Sequence, residues 1–201
     1  MRPTAIQLDL PITIGFDNVP SGTAVDTAYA PGATFSVVTS GPNGGFVSLP
    51  NHVYAVVDRS VAQAPCAFPQ PCPSPGGNVV TLNAPNLVPW FEGASGGIKV
   101  TFNAPKPWVS VAVRGSGLPG TSIGGNAQIT NEPYIQAYSA AGAFLAETLD
   151  PYPATDARWG QFTTVTVNAP AGQSIGFVVL STQQRSGPHV VAEFDNLTYP
   201  K

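Results

Sequence analysis

Charge is what this chain lacks most. Asp, Glu, Lys and Arg make up 9% of its 201 residues, where about 25% is usual for a soluble domain. Its eight Lys and Arg are scattered singly, so they cannot form the basic stripe that phosphate backbones require, and nucleic acid is not expected as a partner. No apolar run approaches the ~20 residues of a membrane-spanning helix. The opening "MRPTAIQLDLPITIGF" is interrupted by prolines and an Asp and does not read as a signal peptide. Stretches without a helix breaker are scarce as well, because 22 prolines and 21 glycines are spread along the whole length.

Histidine and cysteine number two each, too few for the three or four converging ligands of a zinc site. Both cysteines lie in "PCAFPQPC". Cys66 and Cys72 are near enough to bridge within one Pro-rich loop, and a disulfide there would suit an oxidising, extracellular setting. The neighbouring prolines could equally hold the two sulfurs apart as free thiols.

What is present is apolar and neutral-polar. With 43% hydrophobic residues and a net charge of -3, disorder is excluded, and Ser, Thr, Asn, Gln, Gly and Pro must cover the surface. Residues 1–201 suit a single domain. A chain of that size buries roughly 70% of its unfolded surface and needs no metal or disulfide merely to fold.

The hydrophobic pattern consists of short alternating runs bounded by turn residues. "ATFSVVTS", "HVYAVVD", "NVVTLN", "GIKVTFNAP", "WVSVAVRG", "FTTVTVNAP" and "SIGFVVLST" are the clearest. With the two terminal runs and "PYIQAYSAAG" followed by "AFLAETL", they predict ten or eleven strands of an all-β sandwich or barrel. Pro11 makes the first run an edge strand or splits it. "AYSAAGAFLAE" predicts a hairpin with Gly142 at its tip. Three strands end on Asn-Ala-Pro, at 83–85, 103–105 and 168–170, which is edge and turn chemistry. Long irregular stretches at 39–52, 59–76, 83–96, 115–132 and 150–159 are expected to gather at the ends of the sandwich, where binding usually resides.

The segments "IGFDNVPSGTAVDTAYAPGATFS", "GIKVTFNAPKPWVSVAVRG", "YIQAYSAAGAFLAET" and "SIGFVVLST…AEFDNLTY" resemble the galactose-binding-like jelly-roll domains of bacterial surface, secreted or phage proteins, which include carbohydrate-binding modules. The resemblance covers about three quarters of the chain. It implies a single-domain jelly-roll β-sandwich of about ten antiparallel strands with long loops. It speaks for fold more than for function.

One tripeptide stands at both ends: Phe16-Asp17-Asn18 and Phe194-Asp195-Asn196. The resemblance implies that the first and last strands lie side by side. Alternation then turns Phe16 and Phe194 inward and Asp17, Glu193 and Asp195 outward. Carboxylates brought together in this way repel unless a cation intervenes. A structural Ca²⁺, which the resemblance also implies, would take Asp17, Glu193 and Asp195, with Asp26 reaching in from the next loop. Alternatively, each Asp-Asn pair merely shapes a turn.

Catalytic signals are weak. "GSGLPG" at 115–120 matches a dinucleotide-loop pattern, but Pro119 and the following glycines leave no helix for it to open. No Ser sits in a nucleophile elbow. Glu92, Glu132, Glu147, Asp150 and Asp156 lie in or beside predicted loops, with no motif to pair them as a glycosidase needs. A non-catalytic protein is expected.

Aromatic residues in loops are the better lead, since sugars stack on ring faces and exchange hydrogen bonds with neighbouring polar groups. Trp90 and Phe91 in "LVPWFEG", and Tyr152, Asp156, Arg158 and Trp159 in "DPYPATDARWGQ", form the expected ligand-binding set. Trp108 fits the core better. The leading expectation is therefore an extracellular recognition or adhesion module for carbohydrate or another cell-surface ligand. The alternative is a structural component of a viral or surface protein lattice, such as a capsid decoration or tail protein, located on the virion.

Overall fold

A computed structural model describes residues 10–20, 24–40, 46–48, 54–58, 78–82, 96–114, 131–151, 161–184 and 193–201. Among them twelve strands form two antiparallel sheets, and no helix is present. The first sheet runs β10 (Thr163–Asn168), β7 (Trp108–Arg114), β12 (Glu193–Tyr199), β5 (Asn78–Leu82), β4 (Tyr54–Asp58), and β1 (Ile12–Ile14) also pairs with β12. The second runs β3 (Phe46–Ser48), β2 (Ala33–Ser40), β6 (Gly96–Lys106), β11 (Ile175–Gln184), β8 (Asn131–Tyr138), β9 (Phe144–Leu149). This is the expected all-β jelly-roll sandwich. The short β3 falls inside a stretch expected to be loop, because three residues are too few for alternation to register.

The core lies between the sheets and follows from period-two alternation. Val109, Val111 and Val113 of β7, Val165 and Val167 of β10, and Ile14 of β1 face Phe35, Val37, Ile98, Val100, Ile135, Ala137, Val178 and Leu180 in one buried cluster. β-Branched residues dominate because they pack well on a pleated surface. Burying a side chain such as Phe16, a fully buried member of the cluster, stabilises by roughly 1.5–3 kcal/mol. At one margin the hydroxyl of Thr148 in β9 donates to the Thr166 carbonyl in β10 at 2.8 Å, which ties the two sheets together.

The β8–β9 hairpin turns as its sequence predicts. Ser139 and Ala143 close it with a 2.8 Å backbone bond, and Gly142 adopts φ +88°, where a β-carbon would be strained. Of the Asn-Ala-Pro trio, 168–170 leaves β10 for a turn, whereas 103–105 stays within β6. The ladder explains the second case. β2 begins opposite Phe102, and the β6–β11 pairing is irregular between Lys106 and Thr101, so the missing N–H of Pro105 breaks no regular ladder bond. The segment 83–85 lies outside the described residues.

The first and last strands do pair: Ile12 lies opposite Tyr199 and Ile14 opposite Leu197. Against β7, however, β12 bulges. Asp195 pairs with Ala112 and Thr198 with Ser110, so Asn196 and Leu197 together oppose Val111. Asn196 takes φ +46°, the left-handed conformation that opens such a bulge and that Asn tolerates better than most residues. The extra residue shifts the strand's phase. Phe194 faces the core before it, and Leu197 and Tyr199 face the core after it.

Replacing Asn196 with Val should cost about 1–2 kcal/mol, because a β-branched side chain resists the left-handed region, while Asn196→Gly should keep the wild-type stability. Urea unfolding of the two variants checks this. Equal midpoints for both would mean that the bulge does not depend on that conformation.

Candidate functional site

The two Phe-Asp-Asn tripeptides meet at this seam but play different parts. Phe16, at φ +55°, drops its ring into the core. It meets Tyr29 edge-on at 5.6 Å and Phe35 at 5.9 Å. The Tyr29 hydroxyl donates to Asn18 Oδ1 at 2.9 Å. In the second copy it is the Asn that carries positive φ, and its N–H donates to Asp195 Oδ1 at 2.7 Å. A β-carbon placed on Gly15 would stand 3.2 Å from Asn196 Oδ1 and 3.8 Å from Asp17 Oδ2, which locates the two tripeptides against one another.

Asp17 is exposed, as alternation predicts. Asp195 is not: it is 0% exposed. The expectation of an outward Asp195 on open surface is corrected here, because the outer side of the β12 bulge is covered. Asp26 spends one carboxylate oxygen on the N–H of Thr27 at 2.8 Å, while its carbonyl accepts from Phe35, so it shapes its own turn. Glu193 pairs with Arg114 in the ladder, and its side chain is not among the described ones. Among the described residues no group of three or more His, Cys, Asp or Glu could hold a metal ion.

Charge nevertheless accumulates at the seam. Burial first, then the charges of Asp17 and Asp195, push the Tyr29 phenol up to about 12. Beside it runs a groove of about 470 Å³, lined by residues 12–18 together with Tyr29, Gly32 and Tyr199. Gly32 keeps one wall close, since a β-carbon there would stand 3.0 Å from the Tyr199 hydroxyl oxygen.

A second constellation lies on the outer face of the second sheet, built by alternate residues whose neighbours enter the core. Lys99 of β6, Phe177 of β11, Tyr138 of β8 and Phe144 just beyond it form a row across the strands. The Lys99 ammonium sits 4.1 Å from the Phe177 ring centre. Phe177 and Tyr138, direct partners in the ladder, stack at 5.0 Å and 6°. Tyr138 and Phe144 meet edge to face at 5.7 Å. Phe177 and Tyr138 are buried within a small cluster with Val38 and Val179, whereas Phe144 is 57% exposed.

A polar chain runs alongside. The Tyr138 hydroxyl donates to Gln136 Oε1 at 2.8 Å, and Gln136 Nε2 donates to Glu147 Oε2 at 2.6 Å. Tyr134 shares a side-chain hydrogen bond with Ser181. Burial, then Tyr134 and the Glu147 charge, raise the Tyr138 phenol to about 12. Glu147, grouped by sequence with the loop carboxylates, lies within β9 and is half-buried. Sequence reasoning missed this row. The signal available was an aromatic residue on the outward phase of two runs, at Tyr138 and Phe177.

The loop residues Trp90, Phe91, Tyr152, Asp156, Arg158 and Trp159, and the cysteines Cys66 and Cys72, lie outside the described residues. Trp108 is half-buried at the start of β7.

No protein-family model and no curated protein matches the chain. Solved structures do. An arabinose-bound α-L-arabinofuranosidase matches with a TM-score of 0.50 at 15% identity, over 96% of this chain and 26% of that one. This chain thus spans about a quarter of that enzyme's length. The K1 cleaved adhesin domain of Lys-gingipain from Porphyromonas gingivalis W83 matches at 0.43 and 13% identity, covering 94% of this chain and 97% of that one. The C-terminal family 22 carbohydrate-binding module of Clostridium thermocellum Xyn10B matches at 0.39 and 10% identity, over 94% and 96%. The likeness in each case is one of fold.

Two measurements follow. Tyr29 and Tyr138 both sit above the ordinary tyrosine value of 10.0 at about 12. The stability they contribute is therefore full below pH 10 and is lost as the pH climbs from about 10 towards 12. Melting curves across that window should fall steeply for wild type and less so for Tyr29→Phe and Tyr138→Phe; identical slopes would contradict the shifts. Adding a chelator separates the two readings of the Asp-Asn pairs: an unchanged melting temperature means that they only shape turns, and a fall means that a structural Ca²⁺ is held there. A calcium-dependent rise would require the Glu193 side chain and main-chain carbonyls to complete a site.

Proposed function

We propose that the chain is a non-catalytic, extracellular recognition module that binds carbohydrate on the outer face of the second sheet. The observation that carries this reading is the exposed Phe144 ring standing beside the Tyr138–Gln136–Glu147 chain. A sugar needs an apolar ring face to cover its C–H patch and polar groups to exchange hydrogen bonds with its hydroxyls. Phe177 is hemmed in by Lys99 and Tyr138, which leaves Phe144 as the ring that is open to a ligand.

The chain of hydrogen bonds has a direction. Every donated proton points towards Glu147, so the remaining carboxylate lone pairs face ligand hydroxyls as acceptors, while Gln136 retains a second N–H as a donor. Buried rings behind the platform hold these groups in place, which lowers the ordering cost of binding. The loop set of Trp90, Phe91, Tyr152, Asp156, Arg158 and Trp159 belongs to the same proposal as further ligand contacts. Among the described residues no helix is long and apolar enough to cross a membrane. A role outside the cell, on its surface or in secreted material, accords with this chemistry.

A glycan array probed with wild type, Phe144→Ala and Glu147→Gln tests the reading. Wild type should give signal on one sugar class. Phe144→Ala should reduce affinity at least several-fold, as expected for loss of a stacking ring worth about 0.5–1.5 kcal/mol beyond area burial, with the melting temperature kept. Glu147→Gln should weaken binding in the same direction. A blank array from folded wild-type protein would sink the proposal and favour the lattice component.

A further inference from the structure

The groove at the terminal seam is separate from the platform on the second sheet, and neither reading needs the other. Its volume of about 470 Å³ lies within the roughly 300–1,000 Å³ of small-molecule sites. Ile12, Ile14 and the Tyr29 and Tyr199 side chains supply apolar wall, and Asp17 with Asn18 supplies polar rim.

A second observation points to a ligand. Tyr199 is 1% exposed, yet its hydroxyl has no hydrogen-bond partner among the described residues. Buried tyrosine hydroxyls are ordinarily paired. This one lies against the Gly32 wall, where a β-carbon would come within 3.0 Å of it. The fold thus presents a donor at the groove and leaves its acceptor to come from elsewhere.

Charge then selects the ligand. The exposed Asp17 carboxylate at the rim opposes an anion. The Asp195 charge reaches the groove-lining Tyr29 as well and opposes an anion too, while the Tyr199 hydroxyl needs an acceptor, which an ammonium group does not offer. What fits both is an uncharged molecule with an apolar face and several hydroxyls. Asn18, Asp17 and Thr13 would exchange hydrogen bonds with those hydroxyls, and one ligand oxygen would accept from Tyr199. We infer that this groove is a second binding site, for a single neutral sugar unit.

Titration of the isotope-labelled chain by NMR with D-galactose, D-glucose, D-xylose and L-arabinose tests the site. At least one of them should shift the backbone amides of Gly15, Asn18 and Gly32, and should do so equally in the Phe144→Ala variant. Tyr199→Phe keeps the ring and removes only the hydroxyl. It should bind roughly fivefold to tenfold more weakly at an unchanged melting temperature. D-Glucuronate should bind more weakly than the neutral sugars. The inference is overturned if no neutral sugar moves the seam amides, if Tyr199→Phe binds as wild type does, or if D-glucuronate matches its neutral counterpart.

Discussion

The pairing of β1 with β12 depends on a change of phase at Asn196. In an unbroken strand the residues at 194, 196 and 198 would share one face, and Thr198 would enter the core while Leu197 and Tyr199 pointed out. The bulge reverses that order, so Leu197 and Tyr199 join the core opposite Ile14 and Ile12. The same inserted residue sets Asp195 under cover and turns Asn196 Oδ1 towards Gly15. The seam's electrostatics depend on this step, since the covered Asp195 is one of the charges that raise the Tyr29 phenol. A single residue in left-handed conformation thus organises the junction between the two ends of the chain.

The second sheet shows how one surface can hold two kinds of order. Its inner face is aliphatic and β-branched, as a sandwich core requires. Its outer face carries a row of rings in which each ring face is shared with a neighbour until the row ends at Phe144. Rings locked in this way cannot stack on a ligand, but they fix the direction of the last one. The hydrogen-bonded chain to Glu147 runs through Tyr138, a member of the row, so packing and polar positioning are joined at one side chain.

The sandwich was legible because alternation and turn residues are local signals. The runs at 108–114, 163–168 and 175–184 fall on strands within a residue or two, and the Gly142 hairpin follows from its own sequence. The pairing of the termini came from family resemblance, since nothing local encodes it. The burial of Asp195 could not be foreseen: bulges add a residue without a compositional mark, and Asn196 looks like any turn residue. The aromatic row was hidden for another reason. Tyr138 and Phe177 lie 39 positions apart in sequence, and only the β8–β11 register sets them face to face. Loop tryptophans, by contrast, stand out from their local context, which a cross-strand partner does not.

The scarcity of charge becomes intelligible once the charges are placed. Lys99, Lys106 and Arg114 each lie over an aromatic ring, and they are three of only eight cations in the chain. Asp195 and Arg114 are buried on the outer face of the first sheet, two rungs apart in the β12–β7 ladder. With only 9% of residues charged and a net charge of -3, long-range steering contributes little to encounter. Recognition by such a surface must come from contact: ring faces, hydroxyls, amides and a few positioned carboxylates. Those groups lose little when salt screens them. They also discriminate by geometry, because a polar group left unpaired at a buried contact costs more than the bond it replaces contributes. A neutral, hydroxyl-rich ligand is the kind of partner that rewards this composition, which is why the two proposed sites, on different sides of the molecule, call for the same chemistry.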